Sequence, residues 1–152
     1  MNIADILSPD RVVNGLQAGS KKRALELISE ILAVGGLKGR QGDIFDSLIQ
    51  RERLGSTGFG NGVAIPHGRV KDNTLTLGVF VKLQQPIGYD AIDGQAVDLI
   101  FALVVPQEST EEHLQVLAAL AEKFGNDEFC RKLRDAEDAA QQYRLLTGGN
   151  AH

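Results

Sequence analysis

The chain has a single cysteine, Cys130, so it can form no internal disulfide and no thiolate cluster for zinc. It has no long hydrophobic run. The longest, Leu99 to Pro106, falls well short of the roughly 20 residues a bilayer-spanning helix needs. The opening MNIADILSPD has neither the basic nor the apolar segment of a secretory signal. An excess of positive charge is missing too: 16 Lys and Arg stand against 20 Asp and Glu, a formal net charge of -4. Such a chain is poorly suited to neutralising a phosphate backbone, which argues against a nucleic-acid partner. The acidic balance favours solubility and permits a basic protein partner without requiring one. These absences together predict a cytoplasmic protein with no membrane insertion.

What remains is an ordinary globular composition, 43% hydrophobic and 24% charged, over 152 residues. The length suits one domain with a substantial core. No internal repeat, low-complexity tract or linker divides it, so residues 1–152 are expected to form a single domain with its core at about 7–146.

The first third reads as helical. Ser20 is a candidate N-cap for a helix with Ala24, Leu25, Leu27, Ile28, Ile31 and Leu32 at helical spacing, ending at Gly35-Gly36. A second helix is expected over about Asp43 to Arg53, with Gly55 at its C-terminal cap and Arg51 and Arg53 in its last turn, where cations suit the helix dipole. The middle reads as strand: Val63 to Ile65, Leu75 to Leu83, and the near-continuous apolar run Val97 to Val105, with a turn at Asp93-Gly94. That last run predicts a strand covered on both faces. The final third returns to helix. Ser109 and Glu112 match a capping box, Leu114, Leu117, Leu120 and Phe124 form the expected buried stripe, Asn126 caps a short helix, and a last helix runs from about Ala136 to Leu146 before the tail TGGNAH, expected to fray. The expected fold is α/β: a single sandwich of a mixed β-sheet flanked by helices.

The most informative stretch is Arg51 to Arg69, RERLGSTGFGNGVAIPHGR, with five glycines, one proline and one histidine. Its order suggests a short buried strand that stops at Pro66 and presents the His67 imidazole at its exit. Pro66 restricts the chain on either side, and Gly68 leaves room beside the ring for another backbone or an anion. An imidazole so placed can be a nucleophile, a base or a ligand. The glycines at 58, 60 and 62 could turn backbone N–H groups toward an anion, with the Ser56 and Thr57 hydroxyls as further donors. A flexible connection explains the same glycines. The loop is neither a Walker A motif nor G-x-G-x-x-G.

Arg51 or Arg53 could reach the imidazole if the loop folds back, or either could be a solvated helix-end charge. His113 falls in the first turn expected after Ser109, where the helix dipole favours a neutral ring. A partner for His67 and an exposed helix-start histidine both fit that position. Zinc has no local ligand pair and no H-E-x-x-H, and a serine hydrolase has no G-x-S-x-G elbow. No cofactor and no metal are called for.

The passage Gly55-Ser56-Thr57-Gly58-x-Gly60-Asn61-Gly62-x-Ala64-Ile65-Pro66-His67-Gly68 resembles the active-site signature of enzyme IIA domains of the fructose/mannitol class, part of the bacterial phosphoenolpyruvate-dependent phosphotransferase system (PTS). It is most similar to the nitrogen-regulatory branch, the stand-alone IIA-Ntr proteins. Ser20 to Leu25, Pro86-Ile87 through Asp90 to Asp93, and Val97 to Leu103 carry the resemblance further, from about Leu7 to Leu146. The resemblance implies that His67 accepts a phosphoryl group on Nε2, that Arg51 faces it and that His113 is the second active-site histidine. Ser56, Thr57 and Gly68 are then supporting residues. Arg69 carries little weight, since lysine and arginine both suit its place in the family.

The implied partner is an HPr-like phosphocarrier of the NPr type, with potassium transporters or sensor kinases as regulated targets. The chain would then be a phosphocarrier with a mainly regulatory role. Three other readings stand beside this one: a sugar-transport enzyme IIA passing phosphate to a IIB domain, a binding module that captures a small anion, and a metal-dependent hydrolase. For the transfer chemistry, a neutral imidazole attacks phosphorus on a carrier histidine, so the protein need only align the groups and stabilise charge on the equatorial oxygens. A carbonyl or a second imidazole should hold the other ring nitrogen and set the tautomer. An apolar rim for carrier docking, including Phe59, is expected around the site.

Overall fold

The computed structural model describes residues 2–109 and 111–148, and for Glu112 the backbone alone. Its sheet is built around β6 (Val97–Pro106), whose residues Val97 and Leu99 through Val105 are all buried. Being covered on both faces explains why this segment reads as an unbroken apolar run. β5 (Leu77–Ile87) pairs with it antiparallel, and β1 (Val12–Leu16) pairs parallel with β5. On the other side of β6 lie β3 (Val63–Ala64) and β4 (His67–Val70), both parallel to it, with β2 (Gly58–Gly60) antiparallel to β3. The mixed sheet runs β1-β5-β6-β3-β2, with β4 also on β6.

Helices cover both faces. α2 (Lys21–Val34) and α3 (Gln41–Arg53) pack on one side, where Ala24, Leu25, Ile28, Ile44 and Leu48 meet Val79, Val81, Ile100 and Ala102. On the other side the short α1 (Ile3–Ile6), α4 (Glu111–Phe124), α5 (Asp127–Asp135) and α6 (Ala139–Leu146) meet Phe80, Leu99, Phe101 and Leu103. Alternation along β5 therefore divides two cores, not core from solvent: Val79 and Val81 belong to one and Phe80 to the other.

The helix starts expected from side-chain caps are present. The Ser20 hydroxyl accepts from Arg23 N–H at 3.1 Å, and the Asn126 carbonyl from Phe129 N–H at 3.0 Å. α3 ends as expected, with Leu54 at the cap and Gly55 next at φ 150°. The last helix starts later than expected, at Ala139, because Asp138 takes the cap position and accepts from Gln141 N–H at 2.8 Å. The Glu112 side chain, on which the expected capping box with Ser109 depends, and the tail beyond Gly148 lie outside the described residues.

Three further expectations are corrected. The first third is not all helix, since β1 opens the sheet there. The strand at Val63 does not end for good at Pro66. It resumes as β4 in unbroken register: Val63 and Ala64 oppose Leu99 and Ile100, while His67 and Gly68 oppose Leu103 and Val104. Pro66 has no N–H for the ladder, yet its carbonyl still accepts from Leu103 N–H at 3.0 Å. Finally, Leu114 of the expected α4 stripe points to solvent at 63% exposure, and the buried stripe is His113, Val116, Leu120 and Phe124.

Candidate active site

His67 is half-buried at the head of β4. Its Nδ1–H donates to the Ile65 carbonyl, 3.0 Å away across the Pro66 break. That bond fixes the tautomer and leaves Nε2 with a free lone pair. Arg51, in the last turn of α3, directs Nε–H at this nitrogen from 3.3 Å. Its Nη1 also donates to the Gly55 carbonyl at 2.8 Å, which holds the guanidinium at the helix end. Of the two arginines considered, the structure brings Arg51 to the ring, while Arg53 is exposed.

His113 is buried, and its ring meets His67 edge-on with centroids 5.5 Å apart. It occupies a position of the buried stripe of α4, so the exposed-histidine reading does not hold. Neither of its ring nitrogens has a hydrogen-bond partner among the described residues. A neutral imidazole carries one N–H, so a donor is held ready at the site. Burial is the main cause holding His67 below the ordinary histidine range; the Ile65 carbonyl opposes it and Arg51 adds to it. Burial likewise lowers His113, followed by the charges of His67 and Arg69. Both rings are thereby kept neutral near pH 7.

The glycine-rich loop differs from the expected open cradle. Thr57 N–H donates to Glu52 Oε1 at 3.1 Å, Gly58 N–H to Ser56 Oγ at 3.1 Å and Asn61 N–H to Asp93 Oδ2 at 3.2 Å. The hydroxyls are committed as well, Ser56 to the Tyr89 carbonyl at 2.9 Å and Thr57 to Glu52 Oε2. Ser56 and Thr57 thus brace the loop internally. Gly68 is not an open approach either. A Cβ there would lie 2.3 Å from Ser47 Oγ, so the glycine lets α3 press against β4. Ser47 is one turn before Arg51, and this close packing brings the guanidinium to His67.

Behind the loop lies a buried polar cluster that the sequence reading missed. Glu52 accepts from Thr57 and pairs with Lys21 Nζ at 2.9 Å. Lys21 also sits 4.4 Å from the centre of the Tyr89 ring, and the Tyr89 and Thr57 hydroxyls are 3.3 Å apart. Burial, then the Glu52 charge, pushes the Tyr89 hydroxyl far above its ordinary value. One signal was available: a carboxylate in the last turn of a helix opposes the dipole, so Glu52 between two arginines calls for a partner.

Leu54, Phe59, Ile92 and Leu114 are exposed apolar side chains. Leu54 follows α3, Phe59 lies on β2, Leu114 follows His113 in the chain, and the Ile92 N–H donates to the Gly58 carbonyl at 3.1 Å. Among the described residues no three His, Cys, Asp or Glu side chains gather as a metal site, and no helix is long and apolar enough to cross a membrane.

Comparison with known proteins identifies the family of the chain. The model of the family described as "Phosphoenolpyruvate-dependent sugar phosphotransferase system, EIIA 2" matches residues 5–148. The chain belongs to that family. It is 43% identical over 148 residues to the nitrogen regulatory protein of Escherichia coli K12, covering 97% of this chain and 90% of the relative. The crystal structure of nitrogen regulatory protein IIA-Ntr from Neisseria meningitidis superposes with a TM-score of 0.89 at 41% identity, over 95% of this chain and 99% of that one. The mannitol enzyme IIA in the E. coli complex with phosphorylated IIB shares the fold, with a TM-score of 0.78 over 94% of this chain and 99% of that one, at only 22% identity. This EIIA therefore stands with the nitrogen-regulatory proteins, and the sugar-transport alternative has less support.

Proposed function

We propose that His67 of this nitrogen-PTS regulatory protein receives a phosphoryl group on Nε2 from the phosphohistidine of an HPr-like carrier of the NPr type, and that its phosphorylation state is what partners read. The observation that carries this reading is the division of labour on the ring: Nδ1 is anchored on the Ile65 carbonyl, while Nε2 is left as an acceptor facing Arg51.

The Nε2 lone pair attacks phosphorus as the bond from phosphorus to the carrier nitrogen breaks, and that nitrogen keeps the bonding pair. With the carrier ring protonated on its other nitrogen it leaves as a neutral imidazole, so no proton has to move, and the His67 Nδ1–H stays hydrogen-bonded to the Ile65 carbonyl throughout. Arg51 exchanges a weak contact with the ring for charge-assisted bonds to phosphoryl oxygens. The unpartnered N–H of His113 supplies a second donor. Residues 1–152 work as one unit, and Leu54, Phe59, Ile92 and Leu114 give the carrier an apolar landing rim. Phosphorylation adds about -1.5 to -2 charge inside that rim, a local change that a docked potassium transporter or sensor kinase would sense directly.

The test is reconstitution with phosphoenolpyruvate, enzyme I and an HPr-like carrier, read by intact mass. One acid-labile, alkali-stable phosphate is expected on the wild type and none on His67→Ala. Undiminished labelling of His67→Ala removes His67 from the mechanism.

A further inference from the structure

We propose that Arg69 is a positioning residue for phosphoryl transfer, tying the turn Gln107–Ser109 to β4 so that His113 is seated over His67. This rests on the reading of His67 as phosphoryl acceptor and deepens it.

Strand alternation puts His67 and Arg69 on one face of β4, with Gly68 and Val70 buried on the other. Opposite Arg69 is Val105, and β6 ends one residue later at Pro106. The chain leaves the sheet there and enters α4 at Glu111. Arg69 Nη1 grips this connection just past the strand, donating to the Gln107 carbonyl at 2.8 Å and to the Ser109 carbonyl. His113 is the third residue of α4, so the clamp lies within about one helical turn of the imidazole it serves.

His113 needs such an external hold. Among the described residues neither ring nitrogen has a hydrogen-bond partner, so none of their polar groups fixes the ring. Its place comes from packing along the α4 stripe and from where α4 begins. Arg69 sets that beginning from the same strand that carries His67. Its charge reaches both rings as well, lowering His113 after burial and His67, and adding a smaller depression to His67 beside Arg51 and against Glu52. Both bonds come from one nitrogen, Nη1, whose N–H directions are fixed by the guanidinium plane, whereas an ammonium on a flexible stem holds the same carbonyls less rigidly.

The experiment compares wild type, Arg69→Gln and Arg69→Lys in two ways. The first is single-turnover transfer from the phosphorylated HPr-like carrier, read as maximal rate and half-saturating carrier concentration. The second is a pH titration of both imidazoles by proton–nitrogen NMR on the unphosphorylated chain. For Arg69→Gln the maximal rate is expected to fall about tenfold, with half-saturation within about twofold, as for a misplaced reacting group. The His113 ring resonances should move, and both titration midpoints should rise. Arg69→Lys should restore the midpoints and part of the rate.

Unchanged maximal rate with unmoved His113 resonances overturns the proposal. A rise in half-saturation alone makes Arg69 a docking contact and also overturns it. If the wild type takes up no phosphate, the phosphoryl reading fails. The His113 resonances then still report on the clamp independently.

Discussion

Arg51 Nε lies 3.3 Å from His67 Nε2, although the two residues come from a helix on one side of the sheet and a strand at its margin. On the proposed reading, the guanidinium stands where phosphoryl oxygens would enter. Arg51→Ala should slow transfer from the carrier by about a hundredfold, the usual cost of losing one donor to a developing anion. Arg51→Lys should fall between, since it keeps the charge but not the fork. Rapid-quench transfer assays with far-ultraviolet circular dichroism as a fold control decide this. A rate within twofold of wild type for Arg51→Ala would show that the contact has no part in the chemistry.

Gly68 offers a mechanical test of the same contact. An alanine Cβ would come within 2.3 Å of Ser47 Oγ and 2.9 Å of the Ser47 carbonyl carbon, so α3 must shift away from β4. Gly68→Ala is expected to cost about 1–3 kcal/mol, as overpacking does. It should also slow transfer with no change at Arg51 or His67 themselves. Urea denaturation gives the first quantity and single-turnover transfer the second.

Acid should weaken the fold through the two imidazoles. Both have folded pKa values below the ordinary 6.5, so below that value the unfolded chain binds more protons than the native one. Stability is therefore full above about pH 7. It declines as pH falls through 6.5 toward the depressed folded values and levels off beneath them. His113→Gln should flatten part of this slope. Denaturant midpoints from pH 7.5 to 5 measure it, and an unchanged slope in that variant would remove His113 as a contributor.

Glu52→Gln leaves Lys21 without its carboxylate and weakens the hold on Thr57. Removing one partner of a well-buried pair costs about 3–5 kcal/mol; with Lys21 partly solvated, about 2 kcal/mol is expected here. Thermal denaturation tests the loss, and amide exchange should report a looser Ser56–Asn61 loop.

Leu114→Asp and Ile92→Asp should each raise the half-saturating carrier concentration about tenfold while leaving stability and maximal rate close to wild type. Both side chains are largely exposed, at 63% and 86%, so no core contact is lost. A wild-type concentration dependence in both variants would move the docking surface elsewhere.

The elements legible in the sequence were those with strong local signals. Ser20 and Asn126 announced their helices by capping, and the run through β6 announced a strand buried on both faces. β1, β2 and β4 were not legible, because they are short, each contains glycine, and only their pairing with β5, β3 and β6 respectively defines them as strands. Leu114 misled the reading of α4, since hydrophobicity alone cannot show that a histidine holds the buried position next to it. At the site, His67 was marked by its glycine and proline neighbours. The residues alone left Arg51 and Arg53 open; the family resemblance pointed to Arg51, and the packing of α3 on β4 brings it to the ring. Ser56 and Thr57 looked like free donors because Glu52 and Tyr89, which engage them, are brought close only by the fold.

The acceptor that sets the proton on His67 belongs to the main chain of Ile65, not to a side chain. Exchanging residue 65 for another cannot erase it; only a bend in the backbone can. The orientation of the imidazole is thus insulated from point changes at that position, and drift in sequence there should alter packing while sparing the setting of the ring.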